Sequence, residues 1–84
     1  MGKSRSGVQI TSGPDAAQTA ALRPRDRATF TFKFEGTSAA QSVEVTIVSI
    51  RHVTDGVYMI VYVASSETKK MSYNARDRIG VVIQ

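Results

Sequence analysis

Gly56 to Gly80 reads GVYMIVYVASSETKKMSYNARDRIG, and the fold turns on how its first residues divide between two faces. In a strand, alternate side chains point to opposite sides. Val57, Met59, Val61 and Val63 then face one way, and Tyr58, Ile60 and Tyr62 the other. Both sets are apolar, so the segment reads as a central strand with the core on one side and a helix or a partner on the other. Thr54-Asp55-Gly56, just before it, is a tight hairpin signal. Ser65 to Thr68 is a polar turn, Lys69 to Tyr73 a further strand, Asn74 to Arg78 a loop, and Ile79 to Gln84 a last strand through Ile79, Val81 and Ile83.

Upstream the period is also two. In ATFTFKFEG, Phe30, Phe32 and Phe34 share one face, and Thr29, Thr31, Lys33 and Glu35 the other, the mark of a half-buried strand. After the loop GTSAAQ, the segment SVEVTIVSIRHV begins with Val43, Val45 and Ile47 on one face. Its phase slips at Ile47-Val48, after which Val48 and Ile50 take over. A one-residue slip sends side chains to the wrong side unless a bulge or sharp bend absorbs it, and strongly curved strands of this kind belong to small barrels.

Nearer the N-terminus, Val8 and Ile10 form a short apolar alternation between Gly7 and Gly13. A short helix is expected over about 14–22, capped by Ser12 or Gly13, with Pro14 in its first turn and Asp15 complementing its dipole. Its Ala and Leu residues would cover part of a sheet, and Pro24 ends it. The expectation is a mainly all-β domain, a small antiparallel SH3-like or Sm-like barrel of about five strands with this one helix. Residues 1–6 are expected to be a flexible N-terminus and 7–84 a single domain.

The bulk composition agrees with one domain. The chain has 84 residues, 42% hydrophobic and 21% charged, which is globular rather than disordered. It contains no Cys, which excludes disulfides and thiolate metal sites. No apolar run of signal-peptide length follows the cations of MGKSRS, and no segment reaches the roughly 20 apolar residues of a membrane span. A soluble cytoplasmic protein with no membrane association is expected. The net charge of +4 suits an anionic partner and equally suits simple solubility.

The C-terminal two-thirds resembles the WYL domain, an Sm-like or SH3-like barrel module of bacterial regulators and phage-defence proteins. Val57-Tyr58-Met59 stands where the family has its Trp-Tyr-Leu run, IVYVASSETKKMSYNARDRIG follows the family's aromatic strand, turn and basic strand, and Asp77-Arg78-Ile79 matches its DRI. The resemblance covers about Arg25 to Val82. It implies a nucleotide or nucleic-acid ligand held near Tyr58, Lys70, Tyr73, Arg76 and Arg78. More weakly, ATFTFKFEG with VSIRHVTDGVYMIVYV is similar to the small basic chromatin proteins of thermophilic archaea, which implies an SH3-like barrel that lays a sheet on DNA.

Read residue by residue, Arg76 and Arg78 flank Asp77 at the start of a strand, where alternate positions point the same way and two guanidiniums can clamp a phosphate. The alternative is a surface loop in which Asp77 neutralises one of them. Lys69 shares its face with Met71 and Tyr73, which leaves Lys70 outward; if Met71 faces out, the roles reverse. Arg23, Arg25 and Arg27 in RPRDR are either phosphate contacts or a solvated connector. Tyr58, Ile60 and Tyr62 form the second face of the inner strand. That face packs under the helix, stacks on a base or forms an interface. His52 is the only histidine. No metal-ligand spacing, nucleophile arrangement or P-loop accompanies it, so neither cofactor nor catalysis is expected. The leading expectation is a regulatory or accessory module binding nucleic acid or a nucleotide. The alternative is a protein-binding or self-assembling accessory protein, of the phage or mobile-element type, acting through the apolar and aromatic Tyr58/Tyr62 sheet face or a sheet edge.

Overall fold

The computed structural model describes residues 8–34, 36 and 38–83; the expectation of a flexible stretch at residues 1–6 falls outside them. The elements are β1 (Val8–Ser12), α1 (Ala16–Ala20), β2 (Arg27–Phe34), β3 (Ala40–Thr54), β4 (Val57–Ala64), β5 (Glu67–Asn74) and β6 (Ile79–Ile83). The strands pair antiparallel in chain order, and β1 returns to β6 to close a barrel. The mainly β barrel expected from the sequence is therefore present, with six strands rather than about five. The additional one is the Val8–Ile10 alternation, and it supplies the closure.

The core is the barrel interior. Phe30 and Phe32 of β2 meet Val45 and Ile47 of β3, Ile60 and Tyr62 of β4, and Met71 and Tyr73 of β5, all buried, with Ile10 of β1 completing the ring. The Tyr73 and Phe30 rings meet edge to face at 5.1 Å, and Tyr62 lies 6.2 Å from Phe32, both within the range of favourable aromatic contact. Phe34, the third member of the Phe30/Phe32 face, sits at the rim, 51% exposed.

The phase slip in β3 is a bulge. The β3–β4 register shifts between Ile47 and Ser49, leaving Val48 exposed while Ile47 and Ile50 both keep to the inner side. A second shift lies between His52 and Thr54 and exposes Val53. Beyond Ile47, whose backbone bonds to Arg25 and Asp26 of the β2 approach, β3 is paired only with β4 among the described residues.

The structure corrects the helix expected over 14–22. The helix is a single turn capped by Asp15, whose carboxylate accepts from the Gln18 N–H at 2.9 Å while the Gln18 side chain accepts from the Asp15 N–H. This capping box starts the helix after Pro14. Its alanines are exposed; Thr19 is the buried residue, and Leu22 beyond the turn packs on the core. The last strand is where expected, and its apolar alternation faces outward. Ile79 and Val81 point outward, while Gly80 and Val82 are inward partners of Tyr73 and Met71. A Cβ on Gly80 would run into the Ser72 carbonyl oxygen and lie 3.0 Å from Tyr73 Cα, so only glycine lets β6 approach β5 this closely.

Gly80→Ala is therefore expected to destabilise the fold by about 1–3 kcal/mol, the range of overpacking in a well-filled core. Ser72→Gly, which keeps the obstructing carbonyl, should not rescue it. Urea unfolding of the two single variants and the double variant measures both.

Candidate functional site

Up-and-down winding brings the β1–β2, β3–β4 and β5–β6 connections to one end of the barrel. Most of the expected binding residues lie there or beside it: Arg23 and Arg25 before β2, Tyr58 at the foot of β4, and Arg76 and Arg78 before β6. The guanidiniums do not form a free clamp. Ala75 to Arg78 is a turn, and Arg78 adopts left-handed backbone at φ 60°, so the period-two relation expected for Arg76 and Arg78 is absent. Arg76 Nη2 donates to Asp55 Oδ1 at 2.7 Å in the β3–β4 turn. Arg78 lies 3.8 Å from Asp15, the helix cap. Asn74 Oδ1 holds the turn by accepting from the Arg76 and Asp77 N–H groups.

These ion pairs are exposed and individually weak, but they decide the local charge. Asp15, Asp26, Asp55 and Asp77 share the three connections with Arg23, Arg25, Arg76 and Arg78. This end of the barrel carries equal numbers of both signs. Asp26 also shapes its own segment, accepting from the Arg23 N–H at 2.9 Å while its carbonyl accepts from the Ile47 N–H. Arg27, the first residue of β2, lies 4.0 Å from Glu44 in an exposed pair.

The aromatic candidates separate. Tyr73 is fully buried, and its hydroxyl donates to the Pro14 carbonyl at 2.6 Å, tying β5 to the β1–β2 connection; it cannot stack on a ligand. Ile60 and Tyr62 are sealed in the core, which removes them from any interface. Their side of β4 is the barrel interior and is not covered by α1. Tyr58, at the end of the same face, is half-buried against His52 at 4.9 Å. Lys69 sits at the rim 3.5 Å from Glu67, and Lys70 is outward, as the Met71–Tyr73 face requires. The WYL-type ligand set is thus split among the core, a neutral loop cluster and an outer face.

That outer face was not singled out from the sequence. Val57, Met59, Val61 and Val63 cover the outside of β4, partly buried, and Ile79, Val81 and Ile83 the outside of β6. Between them β5 presents Thr68, Lys70, Ser72 and Asn74. In register the rows read Val61–Lys70–Ile83, Met59–Ser72–Val81 and Val57–Asn74–Ile79, apolar, polar, apolar. Depressions of about 500 and 380 Å³ lie at the Lys70 and Asn74 ends of this row. The outward positions of β4, β5 and β6 and of β3 beyond Ile47 include no carboxylate. Their only charges, Arg51 and Lys70, have no ion-pair partner among the described residues.

No group of three or more His, Asp or Glu side chains among the described residues is placed to hold a metal ion, and no helix there is long and apolar enough to cross a membrane. Comparison with protein-family models, curated proteins and solved structures gives no match for this chain.

Burial pushes the Tyr73 phenol up to about 12, with Arg78 opposing and Asp15 reinforcing the shift; burial also raises Tyr62. An unfolded tyrosine ionises near pH 10, so between about pH 10 and 12 the unfolded chain loses a proton that the folded chain keeps. Stability should then fall with rising pH across that window, by about 2–3 kcal/mol from Tyr73. Tyr73→Phe should flatten this fall, with Tyr62 leaving a remainder, while costing about 0.5–1.5 kcal/mol at neutral pH by removing the hydrogen bond to the Pro14 carbonyl. Denaturant unfolding from pH 8 to 12 tests both; an unchanged alkaline profile in Tyr73→Phe would refute the assignment.

Proposed function

We propose that this chain is a non-catalytic binding module, a small barrel of the WYL-like or Sm/SH3-like kind, that holds a protein partner on the outer face of β4, β5 and β6. One observation carries this reading: β4 and β6 both turn apolar side chains outward, partly buried on β4 and at Ile83 and exposed at Ile79 and Val81. Ile79 is 51% and Val81 49% exposed. Single exposed apolar residues are ordinary, but contiguous ones rimmed by polar groups mark interaction sites. The face sets two aliphatic rows on either side of the polar row of β5 and carries few charges, and depletion of charge is a mark of interface cores. The aromatic side of β4, which the sequence offers as the contact face, is spent on the interior, so the aliphatic side is the surface available.

A second reading has its own support. Arg23, Arg25, Arg51 and Lys70 have no carboxylate within ion-pair distance among the described residues, and the chain carries +4. Four phosphate contacts would give nucleic-acid binding with a log–log salt slope of about −3.6.

Photo-crosslinking separates the two. With a photoreactive residue at Val81, the protein in the cells that make it should yield discrete protein adducts. At Thr31, on the outer side of β2, it should not, and Val61→Glu should abolish the Val81 adducts. Equal labelling from both positions, or adducts to nucleic acid alone, would sink the protein-partner reading.

A further inference from the structure

We infer that the partner element is an acidic amphipathic α-helix lying along β5, in the trough between the aliphatic ridges of β4 and β6. This rests on the reading of that face as the binding surface and goes beyond it by naming the occupant.

The trough sets the shape. β4 and β6 are both immediate neighbours of β5, so their backbones run about 10 Å apart, twice the spacing of paired strands, with the aliphatic rows rising on either side of β5. That width matches the apolar stripe of one helix, whose diameter with side chains is about 10–12 Å. From Thr68 to Asn74 the floor is about 20 Å long at the rise of a strand, the length of a helix of about 13 residues. The depressions at its Lys70 and Asn74 ends leave room for side chains to descend between the ridges.

An extended peptide fits less well. β5 is paired on both edges through its outward rows, so it has no free backbone groups to offer an added strand. A strand laid across aliphatic ridges would leave its own N–H and C=O groups unsatisfied, whereas a helix satisfies them internally.

Charge sets the sign. Lys70 rises from the trough floor between Val61 and Ile83, and Arg51 stands beside Met59 on β3. With no carboxylate on the face, a second copy packed here by two-fold symmetry would bring these cations against their own kind. Like-charge juxtaposition disfavours that arrangement. Carboxylates flanking the helix's apolar stripe would meet Lys70 and Arg51 instead. Nucleic acid is the poorer fit, because the face offers no ring for base stacking and only these two cations.

The test is selection of random peptides of about 13 residues, displayed against the isotope-labelled full chain, followed by amide chemical-shift mapping. Enriched peptides should space apolar residues three and four apart and carry Asp or Glu. Their shifts should centre on Val57, Met59, Val61, Ile79 and Val81. Lys70→Glu, an exposed change that leaves the core intact, should weaken them roughly tenfold, and exchanging the facing peptide Glu for Lys should restore binding. Basic peptides, or apolar residues alternating every second position, would overturn the inference. Self-association lost in Val81→Glu would overturn it in favour of a second copy, with the face still the binding surface. Shifts on this face from a DNA duplex would overturn it in favour of nucleic acid. A face untouched by peptide, second copy and nucleic acid would overturn this inference and the underlying reading together.

Discussion

The barrel closes through only two described residue pairs, Gln9 with Val81 and Ile10 with Gly80, and the orientation of every side chain on β6 depends on them. At Gly80 the β6 backbone comes so close to β5 that no side chain can intervene. That contact places Gly80 and Val82 inside and turns Ile79, Val81 and Ile83 outward. β1 in turn sets Ile10 into the core against Phe30 and Tyr73. The aliphatic outer ridge of β6 is thus a direct product of the closure.

The same economy governs the charges. The connections at one end of the barrel are pinned by polar contacts between segments far apart in sequence: Tyr73 to Pro14, Arg76 to Asp55, Arg78 to Asp15, and the Ala75 N–H to the Gly56 carbonyl. The carboxylates that make these ties pair with Arg76 and Arg78. On the sheet, Arg51 and Lys70, which have no ion-pair partner among the described residues, stand among valines, a methionine and isoleucines. The polar ties that hold the connections and the aliphatic outer face of β4 and β6 are spatially separated in this small domain.

Much of the fold was legible because its signals are local. The Phe30/Phe32 alternation, the Asp55-Gly56 turn with Gly56 at φ 75°, and the slip at Ile47-Val48 each lie within a few residues and each became the expected strand, hairpin and bulge. The faces of β4 were not legible. Both are apolar, and only the neighbours decide that Ile60 and Tyr62 go inside. The faces of β6 are not legible for the opposite reason: Gly80 has no side chain with which to declare the inner face. The arginine partners were hidden by distance, since Asp15 and Asp55 approach Arg78 and Arg76 only once the barrel has formed. Tyr73 could be placed on the Met71 face, but not recognised as a buried donor to Pro14.

The two bulges of β3 have a consequence for colloidal behaviour. Beyond Ile47 this strand has one side without a neighbouring strand among the described residues, and an open edge bearing valines is a template on which other chains can stack. The register breaks at Val48 and Val53 interrupt the even spacing that an incoming strand would have to match, and Arg51 sets a charge midway between them. The irregularity that curves the strand also guards it against fibrillar pairing. This lets the protein carry exposed aliphatic residues on a long hairpin while resisting assembly through its backbone.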